Sequence, residues 1–114
     1  MMTKRRILLA EDDDANRAML VKVLEKRGFD VAGASNGLEL LEQLDAAKEE
    51  PFDAILLDWM MPVLSGIEAL PRVRAGFPDV PVIMLTALGG SEAVLGALPL
   101  GAAAYVPPPS AFHV

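Results

Sequence analysis

The chain has 114 residues, 53% of them hydrophobic, no cysteine and a formal net charge of -6. This composition excludes disulfide bonds and thiolate metal sites, and the negative charge disfavours nonspecific binding to nucleic acid. The length predicts a single domain covering residues 1–114, and no apolar run approaches the roughly 20 residues that cross a bilayer. Because the apolar run after the basic N-terminal segment is too short for a signal peptide, we expect a cytoplasmic protein.

The apolar pattern predicts strands that alternate with helices along the chain. The predicted strands are residues 5–10, 30–34, 54–57, 80–85 and 103–106. The predicted helices are residues 15–27, 37–48, 67–75 and 92–98. Pro71 falls inside the third helix, where a proline is tolerated only near the first turn, so this helix is expected to be kinked or to start late.

The alternation of strands and helices predicts an α/β fold. Right-handed crossovers place all five strands in one parallel sheet. Only eight residues follow the last predicted strand, so we expect a fifth helix to be missing or truncated. One face of the sheet would then be covered by the first helix and by little else.

The third strand ends in the residue around which the rest of the chain is arranged. Its short apolar run, residues 54–57, predicts a strand buried on both faces, and Asp58 follows before a proline-containing loop. Ligands of open parallel sheets bind at the carboxyl ends of the strands. Asp58 is therefore placed for chemistry, although an isolated aspartate at this position could simply cap the next turn.

Polar side chains also follow the first and fourth strands. Glu11 and Asp12 follow the first strand, and Thr86 follows the fourth. Clustered carboxylates raise each other's pKa unless a cation neutralises them, and Mg²⁺ is bound by a few carboxylates with waters and phosphate oxygens. The combination predicts phosphoryl transfer in which Asp58 attacks phosphorus and Thr86 donates a hydrogen bond to the transferred group. Taken alone, the acids could be a solvated helix start and Thr86 a turn residue.

The motifs at these positions, taken in order, resemble the receiver domain of two-component response regulators over about residues 5–109. They are ILLAED at 7–12, LDWMMP at 57–62, SG at 65–66, VIMLTA at 82–87, and GA at 101–102 followed by Tyr105. The resemblance implies a flavodoxin-like, doubly wound sheet with strand order 2-1-3-4-5.

The resemblance also implies which residues carry the chemistry. Asp58 would accept a phosphoryl group from a histidine kinase or a phosphotransfer protein. Glu11 and Asp12 would join Asp58 in the Mg²⁺ site, with Asp12 the closer ligand and the backbone carbonyl of Met60 a further one. The domain would then be a signalling module and not an enzyme, with no nucleic acid or membrane bound by this domain.

Two further residues would carry the switch that follows phosphorylation. By the same resemblance, Thr86 would be the switch hydroxyl, and Tyr105 would be the aromatic residue whose rotamer changes with the movement of Thr86. Tyr105 could equally be a half-buried strand aromatic. The family's phosphoryl-binding lysine corresponds to Pro108, which has no cation to offer. No Lys or Arg lies beyond Arg74, so we expect the coupling between phosphorylation and the switch to be impaired.

Two other functions compete with this interpretation. The first is a pseudo-receiver, a protein-interaction module that acts without phosphorylation, which Pro108 and the missing fifth helix favour. The surface left by that helix could also form a homodimer. The second is an aspartate-nucleophile hydrolase, in which Asp12 and Asp14 would imitate an Asp-x-Asp signature. That signature's following residues are absent, and Asp58 would be unexplained.

Overall fold

The computed structural model describes residues 4–47, 49–58, 61–85 and 104–106, the last of these by their backbone. Strands and helices alternate along the described chain, as predicted. In chain order they are β1 (Arg6–Ala10), α1 (Asp14–Lys26), β2 (Asp30–Ala34), α2 (Gly37–Ala46), β3 (Ala54–Asp58), α3 (Gly66–Gly76), β4 (Val82–Leu85) and β5 (Ala104–Val106).

The first four strands form one parallel sheet in the order β2-β1-β3-β4. The order of the first four strands confirms that part of the predicted topology, together with the α/β class. The short backbone segment of β5 pairs in parallel with β4, and in this register Ile83 lies opposite Ala104 and Leu85 lies opposite Val106. The predicted helix at 92–98 and the predicted loss of a fifth helix fall outside the described residues.

Several elements begin or end one or two residues away from their predicted bounds. The helix α1 begins one residue early because the Asp13 side chain accepts a hydrogen bond from the Asn16 backbone N–H at 2.8 Å. The helix α2 ends at Ala46, before its predicted end at residue 48. The strand β4 begins at Val82 and not at residue 80, because Pro81 has no N–H and the Val80 N–H bonds to Phe77 in a turn.

Of the two effects expected of Pro71, a kink or a late start of the third helix, the late start is not observed. The helix α3 begins at Gly66, where Ser65 and Glu68 form a reciprocal capping box. This box satisfies the N–H groups of Ser65 and Glu68, so the first turn of the helix is stabilised ahead of the proline. Pro71 then lies inside the helix and removes a single hydrogen bond within it.

The main core lies between the sheet and the pair α2 and α3. Right-handed crossovers running from β2 to β3 and from β3 to β4 place these two helices on one face, and α1 on the other. The fully buried side chains of this core include Leu8, Leu57, Leu40 and Leu70. Their packing fixes the central strands β1 and β3, and therefore the relative positions of the strand ends.

The other face has thinner cover in the described part of the chain. The helix α1 packs against β1 and β2, yet none of its residues is buried. Met19 and Val23 remain 38% and 47% exposed. Among the described segments, no helix has the length and apolar character needed to cross a bilayer.

Candidate functional site

Four consecutive acids, Glu11, Asp12, Asp13 and Asp14, run from the end of β1 into the first residue of α1, and we call this segment the acidic loop. Its first residue continues the pairing with β2, since the Glu11 backbone N–H donates to the Ala34 carbonyl at 3.0 Å. Its last two residues begin α1, one as the N-cap and one in the first turn, where negative charge is favoured by the helix dipole. The loop is thus held between a strand and a helix.

The strand β3 ends at Asp58, which is partly buried and lies opposite Leu85 of β4 in the sheet register. The start of α3 closes tightly over it. A Cβ atom added to Gly66 would lie 1.8 Å from the Asp58 backbone oxygen, so only glycine fits at this approach. The phosphoacceptor predicted from the sequence is therefore held by the sheet on one side and by the beginning of α3 on the other.

The two strand ends bring three carboxylates together. Glu11, Asp12 and Asp58 each offer an oxygen atom, and these three atoms lie within 4.8 Å of one another. The convergence predicted from the sequence is therefore observed. Asp14, the second acid of the hydrolase alternative, is not part of this group, because it belongs to α1 and its carboxylate pairs with Arg17.

Glu11 is the acid most affected by its surroundings, with 8% of its surface exposed. Burial raises the pKa of its carboxyl group above the ordinary value, and the charges of Asp12 and Asp13 raise this pKa further. Hydrogen bonds from the Asp13 backbone N–H and with the Asp58 side chain oppose the rise. The site therefore holds crowded negative charge, which a bound cation would relieve.

The donor set suits a hard divalent cation. Three carboxylates that approach one another this closely, with no cysteine anywhere in the sequence, match the oxygen coordination that Mg²⁺ prefers. Glu11, Asp12 and Asp58 are thus the described residues that could hold the ion.

A residue that the sequence analysis did not single out contacts the acidic loop. The Arg17 guanidinium donates to the Glu11 carbonyl at 2.8 Å and to the Asp14 carboxylate at 2.5 Å. The available sequence signal was an Asp and an Arg three residues apart near the start of a predicted helix, a spacing at which side chains meet. That spacing indicates the ion pair, but not the contact with the loop backbone.

The remaining predicted site residues lie outside the described part of the structure. Met60, Thr86 and Pro108 are not described, and Tyr105 is described by its backbone, within β5. Their predicted roles stay predictions. The described position nearest to Thr86 is Leu85, the last residue of β4, which pairs with Asp58 in the sheet.

Comparison with known proteins identifies a family and several relatives. The profile of the family described as response regulator receiver domain matches residues 7–113. The chain is 46% identical over 105 residues to a transcriptional regulatory protein, the CpxR homolog of Haemophilus influenzae, covering 91% of this chain and 44% of that protein. It is 42% identical over 109 residues to a protein-glutamate methylesterase/protein-glutamine glutaminase of Caulobacter vibrioides, covering 93% of this chain and 30% of that protein.

The chain therefore spans less than half of the length of each of these two relatives. Solved structures show the same fold. The chemotaxis protein CheY4 of Vibrio cholerae superposes with a TM-score of 0.84 at 28% identity, over 94% of this chain and 88% of that one. A chain of the CheX-CheY-BeF3-Mg²⁺ complex from Borrelia burgdorferi superposes with a TM-score of 0.86 at 25% identity, over 92% of this chain and 78% of that one.

Proposed function

The chain belongs to the response regulator receiver domain family of two-component systems, and from this premise we propose that it accepts a phosphoryl group on Asp58. Receiver domains interact with histidine kinases or phosphotransfer proteins, and one of these is the proposed donor. The observation that carries the proposal is the meeting of Asp58 with Glu11 and Asp12, whose carboxylate oxygens lie within 4.8 Å of one another.

The reaction follows from the chemistry of this site. A carboxylate oxygen of Asp58 attacks the phosphorus of the donor's phosphohistidine, the new P–O bond forms as the P–N bond breaks, and the imidazole leaves with a proton from solvent. Glu11, Asp12 and Asp58, with the Met60 backbone carbonyl, would hold Mg²⁺. When bound, the ion neutralises charge on the phosphoryl oxygens.

The finer features of the receiver are also part of the proposal. We propose the flavodoxin-like five-stranded order 2-1-3-4-5, with Thr86 as the switch hydroxyl and Tyr105 as the switch aromatic. The register supports the place of Thr86, because Leu85 lies opposite Asp58 and Thr86 is the next residue. Pro108 at the usual lysine position leaves the phosphoryl group without that cation, so the switch would be weakly coupled to phosphorylation.

Phosphorylation of Asp58 can be tested directly. Purified protein with Mg²⁺ and acetyl phosphate should gain the mass of one phosphoryl group, and Asp58→Asn should abolish this gain because an amide oxygen is a poor nucleophile. Beryllofluoride should bind the wild type and fail to bind Asp58→Asn.

Asp53→Asn is the matched control for this experiment. Asp53 precedes the same strand at its opposite end, where its carboxylate accepts a hydrogen bond from the Arg6 backbone N–H at 2.7 Å, an interaction that asparagine can keep. This variant should be modified like the wild type. The proposal fails if no donor modifies the wild type, or if Asp58→Asn gains the same mass.

A second candidate function is that of a pseudo-receiver, a protein-interaction module that works without phosphorylation. Pro108 favours it, and so do Met19 and Val23, apolar side chains of α1 that remain exposed. The predicted homodimer through the surface left by a missing fifth helix also stays a prediction. A change of oligomeric state or partner affinity on phosphorylation would exclude this second function.

A further inference from the structure

Arg17 connects α1 to the backbone of the acidic loop. One nitrogen of its guanidinium, Nη1, donates to the Glu11 carbonyl at 2.8 Å, and Nη2 donates to an Asp14 carboxylate oxygen at 2.5 Å. Its side chain is 24% exposed, although α1 is a surface helix. A planar guanidinium that spans two acceptors fixes their relative positions better than a single contact does.

The Arg17 side chain packs against the strand β2 on its way to the acidic loop. A Cβ atom added to Gly33 would lie 3.2 Å from Cδ of Arg17 and 3.7 Å from its Nε. The aliphatic part of Arg17 therefore lies directly over the backbone of β2 at Gly33. The absence of a side chain on Gly33 leaves the space that Arg17 fills on its way to the loop.

The hydrogen bond from Arg17 to the Glu11 carbonyl fixes the orientation of the peptide unit that joins Glu11 to Asp12. A peptide unit is planar, so fixing its C=O group also fixes the direction of the N–H of the next residue. The N–H of Glu11 is held by the Ala34 carbonyl of β2, and its C=O by Arg17. The backbone is thus held on both sides of Glu11, at the point where the chain turns from one carboxylate of the site to the next.

We propose that Arg17 is a positioning residue of the Mg²⁺ site, holding the Glu11–Asp12 peptide so that both carboxylates face Asp58. This inference rests on the proposed function, since it assigns Arg17 a part in forming that site. The guanidinium also places one positive charge beside four consecutive acids. Removing a group that holds a metal ligand in place typically lowers metal affinity by about 10- to 100-fold.

The test is the Mg²⁺ affinity of two substitutions at this position, measured by isothermal titration calorimetry on the full chain. Arg17→Gln should weaken Mg²⁺ binding by about tenfold. Arg17→Lys should recover part of the affinity, because an ammonium group can donate to the Glu11 carbonyl but cannot span both acceptors. Lys22→Gln, at an exposed position of the same helix, removes an equal charge and should bind like the wild type.

Gly33→Val provides a second, charge-neutral variant. A β-branched side chain suits an exposed strand position, yet it would displace Arg17 from its path. This variant should lose Mg²⁺ affinity several-fold while its thermal unfolding temperature in EDTA stays near that of the wild type. A purely structural role for Arg17 would lower that temperature in Arg17→Gln and leave the Mg²⁺ affinity unchanged.

The inference is overturned if folded Arg17→Gln binds Mg²⁺ within about twofold of the wild type, or if Lys22→Gln loses as much affinity. If Arg17→Gln does not fold, Gly33→Val with wild-type affinity overturns it instead. The wild-type titration separates this failure from that of the proposed function. A wild type that binds Mg²⁺ and is phosphorylated leaves only the role of Arg17 refuted, whereas one that does neither refutes both.

Discussion

Glu11 occupies a position where burial and neighbouring acids make its negative charge unfavourable. Its carboxyl group lies almost wholly buried at the end of a central strand, next to Asp12 and within reach of Asp58. Burial disfavours the charged form, which is why the pKa of Glu11 is raised. Burying a charged carboxylate at this position lowers the stability of the metal-free protein. The presence of Glu11 here is therefore best explained by the cation that the site is proposed to bind.

The unfavourable burial of the Glu11 charge predicts how Glu11→Gln changes the free energy of unfolding. The amide keeps the shape and the acceptor for the Asp13 N–H but removes the buried charge, so the metal-free variant should be more stable than the wild type at neutral pH. Urea unfolding in EDTA measures the difference. In saturating Mg²⁺ the order should reverse, because the variant lacks one anionic ligand. A variant less stable than the wild type in EDTA at neutral pH would contradict the prediction.

The same experiment has a definite pH dependence. In the unfolded chain Glu11 titrates near its ordinary pKa of 4.5, and in the folded protein its pKa is higher. Between these two values the folded state binds more protons than the unfolded state, so the wild type gains stability as pH falls. The advantage of Glu11→Gln should therefore shrink towards pH 4.5 and grow as pH rises through the raised pKa.

The loop between β3 and α3 is held to its neighbours by two glycines. The Gly37 N–H donates to the Leu64 carbonyl at 2.8 Å, and a Cβ atom at position 37 would lie 2.4 Å from that oxygen. Gly66 makes the equivalent close approach to the Asp58 carbonyl. Val63, in the same loop, has a φ of 68°, a backbone angle that β-branched residues rarely adopt. In the described part of this loop, residues 61–65, the backbone therefore has a strained conformation at Val63.

Gly66→Ala tests how strongly this element positions Asp58. The added methyl group would overlap the Asp58 backbone oxygen, so α3 or the end of β3 must move, at a cost of about 3 kcal/mol or more in the free energy of unfolding. Phosphorylation by acetyl phosphate should fall as well. Gly76→Ala is the control, since a Cβ atom there meets nothing within 4 Å, and its effect should stay within about 0.5 kcal/mol. Equal losses for the two variants would contradict this explanation.

At the scale of the whole molecule, the parallel sheet gathers chemistry from segments that are distant in sequence. Pairing of β1 with β3 places Ala10 beside Leu57, so the acids that follow both residues share one edge. Pairing of β3 with β4 places Leu85 beside Asp58. In the proposed function the switch depends on residues that follow β4 in the sequence, and Pro108 stands there in place of the lysine that the resemblance implies.

Restoring the family lysine at this position tests that dependence. Two unit charges 4 Å apart attract by about 4 kcal/mol at an effective dielectric near 20, and desolvation removes a large part of this. Pro108→Lys should therefore tighten beryllofluoride binding by about tenfold, which corresponds to about 1.4 kcal/mol. It should also enlarge the difference in hydrogen exchange between free and beryllofluoride-bound protein.

Pro107→Lys is the matched control, because it adds the same charge one residue earlier. If both variants bind beryllofluoride equally well, the effect is one of net charge and not of a specific contact. If Pro108→Lys binds no more tightly than the wild type, the proline is not what limits the coupling.

The sequence alone was sufficient for the element types, the order of the first four strands and the three converging acids. The element types depend on local patterns, since short apolar runs predict buried strands and helical spacing predicts helices. The strand order was implied by the resemblance to receiver domains. Glu11, Asp12 and Asp58 could be placed together because each directly follows such a strand.

Tertiary structure decided the features that depend on distances between separate segments. The burial of Glu11 follows from packing around β1, the path of Arg17 depends on Gly33 in another strand, and Gly66 is required because α3 begins against Asp58. No local pattern encodes these contacts, since burial, pKa and steric overlap depend on which atoms the fold brings within a few ångströms. The residue types that the site needs are thus determined by the sequence, and their positions and charge states by the folded protein.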